Sequence, residues 1–408
     1  MDENRMLVPD EHVLSGIFTD MPNATKAPLN VISNSFVVCT FRLQLDPELE
    51  PPSGFPTDLL IHLENTEKTK RTEGDLEAVS RLQNLARCQT SKLIPALVKV
   101  GTTRNAEGVQ LSYSITPFLS GTINLEDVWS DLREDNQEAL MNGILDAIRQ
   151  FQELRVQDDD VLQALQQPIN VDDDDSKPLP KTLMGGPDTG YHFNIKPILE
   201  KFLLPEAARL SLCQIIDIAD GIAIRSTDDN IESVELNQVD LDTLSNHVVL
   251  CHNDLEPRNI LVKQVDREGN DDNSWYELVA IIDWEVAGFF PFAYEFGLKD
   301  AYLGSSNLLF SWYSLFKKKT STLLPAGEAH EKLIKALRII SQSNEKAIPK
   351  NVGVRARAAL IKRECLVMHT DVRRGWVRKD GVANIPAFTK GDQDKLMNEV
   401  LKELGYIN

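Results

Sequence analysis

Two rhythms of apolar and polar residues divide this chain. From Val31 to Val100 the apolar runs are short and rich in β-branched residues. "FVVCTFRLQL" at 36–45 and "DLLIHLE" at 58–64 predict strands, with "PPSG" at 51–54 as a turn. Between these strands and Val100, "EGDLEAVSRLQNLA" spaces Leu76, Val79, Leu82 and Leu85 for one face of a helix, with Glu77 beside that stripe. The pattern predicts a small sheet carrying one helix. After "ITPFLSGTINLEDVW" the period lengthens. Leu140, Ile144, Leu145, Ile148, Phe151 and Leu154 predict an amphipathic helix, and helical patterns return at Leu333–Ile340, at Ala358–Met368 and from Leu396 to Leu404, where Gly405 stops the last one. The change near Gly121 predicts an α+β chain in two parts, 1–120 and 121–408, the second mostly helical.

One stretch fits neither rhythm. Residues 156–190, "VQDDDVLQALQQPINVDDDDSKPLPKTLMGGPDTG", are rich in Asp, Pro and Gly and poor in aromatics, which predicts a mobile acidic insertion. Its run Asp172–Asp175 reads as solvated charge more readily than as a cation site.

Length and charge narrow the partners. At 408 residues the chain is long enough for two cores. A net charge of -19 repels nucleic acid and anionic membrane surfaces, and it suits a cationic small molecule or an anionic one carried with divalent metal. Five widely spaced cysteines, with no C-x-x-C pair, predict reduced thiols and a cytoplasmic protein. The acidic opening "MDENRMLVPD" has no apolar leader pattern, and no run approaches the roughly 18 apolar residues of a membrane span. Nothing in the pattern indicates an oligomeric state.

The densest polar chemistry lies at His252–Asn259, "HNDLEPRN". It sits between the apolar runs "HVVLC" and "ILVK", and a third run, "LVAII", ends in Asp283, Trp284 and Glu285. Phosphoryl transfer needs a carboxylate to orient the attacking hydroxyl and oxygen ligands for a divalent metal, with little covalent work by the protein. Asp254 and Asn259 have the H-x-D-x-x-x-x-N spacing, and Asp283 follows a buried strand as a metal-binding aspartate does. On this reading Asp254 positions the acceptor, Asn259 and Asp283 hold Mg2+ through oxygen, His252 pins the loop, and Trp284 plugs the space behind Asp283. Two other readings compete: an aspartate that merely caps a turn, and a metal hydrolase with His252, Asp254 and Asp283 as ligands. The hydrolase leaves Asn259 and the first part of the chain without a role.

"VVLCHNDLEPRNILV" and "IIDWEVAGFFPFAYEF" together resemble the aminoglycoside phosphotransferase and choline kinase superfamily, especially its fungal phosphotransferase members. The resemblance implies a bilobal protein-kinase-like fold and phosphorylation of a small molecule with ATP and Mg2+. It implies Asp254 as the catalytic residue, Asn259 and Asp283 as metal ligands, Glu77 as the helix glutamate, and the backbone from Thr116 to Phe118 as the adenine contact. A choline or ethanolamine kinase is the narrower form of this expectation.

The first part departs from the family pattern. Where a lysine or arginine normally meets the nucleotide phosphates, "DLLIHLENTEK" presents His62, which at its ordinary pKa of about 6.5 carries little charge at pH 7. The phosphate loop lacks its glycines, and "VISNSFVVC" offers Asn34 and Ser35 as a tight turn. Three outcomes follow: His62 charged by Glu77, a substitute from Lys68, Lys70 or Arg71, or a pseudokinase that binds nucleotide without turnover.

Overall fold

The computed structural model describes residues 6–46, 55–69, 73–90, 92–156, 183–204, 212–265 and 275–407, with Asp158, Val161 and Leu165. The turn at 51–54, the run Asp172–Asp175, Lys70 and Arg71 lie outside the described residues. The chain divides into two compact units, 1–122 and 123–408.

In the first unit, strict alternation builds an antiparallel sheet. Its strands are β1 (Leu29–Asn34), β2 (Val38–Gln44), β3 (Asp58–Asn65), β4 (Lys99–Arg104) and β5 (Gln110–Pro117), in the order β1-β2-β3-β5-β4. Because successive side chains point to opposite faces, Phe41, Leu43, Leu59, Ile61, Leu63, Leu111, Tyr113 and Ile115 share one buried face. Helix α1 (Glu11–Ile17), which the sequence reading lacked, covers that face with Val13, Leu14 and Ile17. Asp10 starts it by accepting the Val13 amide at 2.8 Å. The expected amphipathic helix forms as α2 (Glu73–Gln89). Alternation leaves Thr40, His62 and Ser114 on the opposite face, in one row across the sheet.

The second unit holds more strand than expected. It contains β6 (Ile123–Asn124), β7 (Met184–Gly186), β8 (Gly190–His192), β9 (Cys213–Ile218), β10 (Gly221–Ser226), β11 (Val234–Leu236), β12 (Val248–Cys251), β13 (Ile260–Val265), β14 (Trp275–Ile281), β15 (Gly288–Pro291), β16 (Leu366–Met368) and β17 (Trp376–Arg378). Four small sheets result, ordered β11-β10-β9, β12-β15-β7-β8, β14-β13-β6 and β16-β17. The hairpin β9–β10, closed between Ile218 and Gly221, alters the expected run of helices. The last eight residues of the expected insertion are also ordered. There Met184–Gly186 pairs beside β15, and Gly185 takes φ 123 where a Cβ would stand 1.9 Å from the Gly190 carbonyl oxygen.

Around these sheets pack α3 (Glu134–Phe151), α4 (Gln238–Asn246), α5 (Phe292–Tyr302), α6 (Phe310–Thr320), α7 (Glu328–Ala347), α8 (Val352–Glu364) and α9 (Lys390–Glu403). The helix expected through Met368 ends earlier: Cys365 takes the left-handed conformation at φ 51, and the chain turns into β16. All five cysteines are free thiols. Among the described residues no helix is long and apolar enough to cross a membrane.

Candidate active site

The strands that frame the polar loop belong to two sheets, not to adjacent strands of one. β12 pairs with β15 and enters the loop, whereas β13 leaves it and pairs with β14. The loop itself joins them. Asn253 at φ 65 and Asp283 at φ 66 both lie in the left-handed region, which Asn and Asp enter more readily than other side chains.

His252 locks the crossing. Its backbone N–H donates to Glu295 Oε2 at 3.1 Å, its Nε2–H donates to the Ile282 carbonyl at 3.0 Å, and Nδ1 accepts the Asp254 amide at 3.2 Å. Those partners fix one neutral tautomer. Burial outweighs the pull of Asp254 and lowers the imidazole pKa to about 4. With both nitrogens engaged, His252 is no metal ligand, which removes the hydrolase reading. Trp284 sets its ring edgewise against this imidazole, with centroids 4.7 Å apart.

Asp254, 15% exposed at its side chain, has its carboxylate fixed from two sides. Asn259 Nδ2 donates to Asp254 Oδ2 at 2.7 Å and to the Asp254 carbonyl at 2.9 Å. Arg258 Nη2 reaches Oδ1 at 2.7 Å and Oδ2 at 2.8 Å, while Nη1 donates to the Ser306 carbonyl at 3.0 Å. The sequence reading missed Arg258, although its place four residues after Asp254 on a short helical turn, Pro257–Asn259, was a usable signal. The Ile282 amide donates to the Asn259 carbonyl at 2.9 Å, so the backbone next to Asp283 is tied to the loop. Asp283 is exposed. The Asn259 amide turns its nitrogen to Asp254, leaving Oδ1 as an oxygen donor. Among the described residues no group of three or more His, Cys, Asp or Glu is arranged around a metal position. Asp283 and Asn259 Oδ1 offer oxygen of the kind a hard divalent ion prefers.

Beneath the loop runs a buried polar frame. Lys299 of α5 donates to the Leu255 carbonyl and to Glu256 Oε1, each at 2.7 Å, and Asn307 donates to Glu256 Oε2 at 2.7 Å. Lys299 and Glu256 are almost wholly excluded from solvent. Beside the loop lies a cavity of about 320 Å³, lined in part by Tyr302, Ser305, Ser306, Asn344, Glu345 and Arg357. Burial raises the Tyr302 pKa, and the Asp254 and Glu256 charges raise it further. Glu345, a carboxylate on this wall, pairs with Arg357 at 3.0 Å.

The first-unit residues are placed differently. His62 Nδ1 meets the Thr40 hydroxyl at 3.1 Å across the β2/β3 ladder. Glu77 is half exposed, and its ion pair is with Arg81 at 3.9 Å, one turn along α2. The turn after Asn34 closes on itself: Ser35 Oγ accepts the Val37 and Val38 amides at 3.2 and 3.0 Å, and the Ser35 carbonyl accepts the Leu7 amide at 2.7 Å. Asn34 Nδ2 points to the Leu7 carbonyl at 3.5 Å. Thr116 pairs with Leu60, and the Phe118 amide donates to the Asp58 carbonyl at 2.9 Å. Arg42 is held by Asp58 through two bonds of 2.7 and 2.6 Å and stacks over Phe118 at 4.2 Å.

Residues 207–299 match the choline/ethanolamine kinase family, so the superfamily resemblance of the signature blocks is met there. No curated protein matches the chain. Solved structures similar to it include aminoglycoside phosphotransferase APH(4)-Ia, 13% identical, covering 82% of this chain and 93% of that one with a TM-score of 0.42. The GDP and kanamycin complex of APH(2")-IIia is 14% identical, covering 86% and 95% with a TM-score of 0.44. A microcompartment-associated aminopropanol kinase is 14% identical, covering 83% and 92% with a TM-score of 0.40. Likeness at this level identifies neither nucleotide nor acceptor.

Proposed function

We propose that this protein is a phosphotransferase that moves the γ-phosphoryl group of ATP to a hydroxyl or amine of a small molecule, with Mg2+ as the metal. The observation that carries the reading is the Asp254–Asn259 clasp: one amide donates to both the carboxylate and the carbonyl of Asp254. It fixes the direction of the carboxylate and commits Asn259 to present its oxygen elsewhere. Asp254 accepts a hydrogen bond from the acceptor hydroxyl and orients it for in-line attack. The acceptor oxygen forms a bond to γ-phosphorus, the bond from phosphorus to the β,γ-bridging oxygen breaks with its electron pair going to ADP, and the acceptor proton passes to Asp254 and then to water. Asp283 and Asn259 would hold Mg2+, whose charge would offset that of the phosphates.

The nearby cavity is the proposed acceptor site. Tyr302 and five hydroxyl or amide side chains give it polar contacts, and the overall acidic charge favours an amine-bearing molecule. A choline or ethanolamine acceptor is the narrower form, supported by the family match. Free thiols support a reducing, cytoplasmic setting. The first unit is the proposed nucleotide holder, with His62, Glu77, the Asn34–Ser35 turn and the Thr116–Phe118 backbone facing that task.

A second reading, a pseudokinase that binds nucleotide without transfer, draws on the Ser35 turn, where the Ser35 hydroxyl takes the Val37 and Val38 amides. Measuring ADP release with ATP, Mg2+ and a panel of amines, sugars and hydroxylated metabolites separates the two. The account expects at least one acceptor to stimulate release and Asp254→Asn to lower that rate by about 10³-fold. An undiminished rate in Asp254→Asn contradicts the transferase. Stabilisation by ATP and Mg2+ without release from any acceptor supports the second reading.

A further inference from the structure

We infer that Arg258 is a positioning residue for Asp254 and the fixed positive charge of the transfer site; the inference rests on the phosphotransferase reading. Surface ion pairs four residues apart on a helix are worth little, because two mobile side chains must be held together in water. This pair is built differently. Arg258 is a third exposed at its side chain, Asp254 half of that, and the guanidinium is tethered at its far nitrogen to the Ser306 carbonyl. One nitrogen spans both carboxylate oxygens, and Asn259 takes a further position on Oδ2. A guanidinium keeps its proton in proteins, and the Asp254 carboxylate lies directly against it. The guanidinium therefore remains a cation beside the position of the acceptor hydroxyl.

The contact has a chemical consequence. An acceptor hydroxyl that donates to Asp254 shares the Oδ1 side with Arg258, so the attacking oxygen sits next to a planar donor. As the phosphoryl group passes to that oxygen, charge spreads over its three equatorial oxygens. A guanidinium with N–H groups beyond those bound to Asp254 and Ser306 can meet them. In the first unit Arg42 is committed to Asp58 by two bonds. Ser306 also lines the cavity, which places the tether at the acceptor side.

The test compares wild type with Arg258→Lys, Arg258→Gln, Arg258→Ala and Asp254→Asn, reading ADP release from ATP and Mg2+ with water and with the best acceptor of the panel. Melting temperatures establish that the variants are folded. Arg258→Gln and Arg258→Ala are expected to lose about 10²-fold in kcat with little change in nucleotide KM. Arg258→Lys, a point charge without the planar fork, should lose about tenfold. Guanidinium ion at millimolar concentration should restore Arg258→Ala at least fivefold, an effect a purely structural role would not produce. The inference is overturned if Arg258→Gln stays within twofold of wild type while Asp254→Asn falls, or if a folded Arg258→Ala gains nothing from guanidinium. Equal release by wild type and Asp254→Asn overturns the phosphotransferase reading itself, and this inference with it. If Arg258→Ala does not fold, the Lys and Gln variants decide the question by the difference between charge and hydrogen bonding alone.

Discussion

The loop His252–Asn259 and the turn Asn34–Val38 are both short, polar and braced by strands, yet they spend their hydrogen bonds in opposite ways. In the loop, internal bonds are used to aim groups outward: His252 and Asn259 hold Asp254, and the Asn259 oxygen is left for a ligand. In the turn, the Ser35 hydroxyl takes the Val37 and Val38 amides and the Ser35 amide donates to the Val38 carbonyl, so these backbone donors are already used. A polar cluster is poised for chemistry when its internal bonding leaves aimed atoms over. Ser35 shows the other outcome, in which polarity only closes a turn.

The largest test of this contrast cuts the frame beneath the loop. Lys299→Met leaves Glu256 buried without its cation, and a loss of about 3–5 kcal/mol is expected for the second unit. Urea unfolding followed at a second-unit tryptophan checks it, and an unchanged midpoint would show that the loop does not depend on its frame.

Acid should separate the two regions next. His252 titrates near 4 in the folded chain, below its unfolded value of about 6.5. Its contribution is therefore complete above pH 6.5 and is lost as pH falls toward 4, by up to about 3 kcal/mol. His330 is also lowered to about 4, mainly by burial, and both of its ring nitrogens lack a hydrogen bond. His330→Leu should accordingly flatten part of the acid slope while leaving stability at pH 8 equal or higher. Stability measured from pH 8 to 4 in both proteins decides this; parallel curves would refute it.

Smaller changes probe the turn and its neighbour. If the first unit lacks a fixed phosphate contact, His62→Lys should tighten ATP by about tenfold, or about 1.4 kcal/mol. Isothermal titration gives the answer, and no change would mean that His62 is not at the phosphates. Ser35→Ala removes the acceptor for two amides and should cost about 1 kcal/mol by thermal unfolding.

Spacing made much of the loop legible in the sequence. Asp254, Asn259 and Asp283 were singled out because transfer chemistry asks for those types at those offsets, and the structure brings Asp254 and Asn259 together. Arg258 was passed over because its local signal, the offset of four from Asp254, says nothing of the Ser306 carbonyl that also holds it. The β9–β10 hairpin was missed although "CQIIDIADGIAIRS" carries its own turn. The frame residues Lys299 and Glu256 were invisible for another reason: a buried ion pair depends on which helix covers which loop, a tertiary fact that no local pattern states. His62 charged by Glu77 was one of three outcomes that the resemblance left open; in the structure His62 Nδ1 meets the Thr40 hydroxyl and Glu77 pairs with Arg81.

The central claim is that the second unit holds the metal-dependent transfer machinery, with Asp283 as its metal ligand. ATP affinity of wild type and Asp283→Asn, each measured by calorimetry with and without Mg2+, tests it most directly. The account predicts that Mg2+ tightens ATP binding at least tenfold in wild type and less than twofold in Asp283→Asn, while the affinities without metal remain alike. The same Mg2+ dependence in both proteins would contradict it.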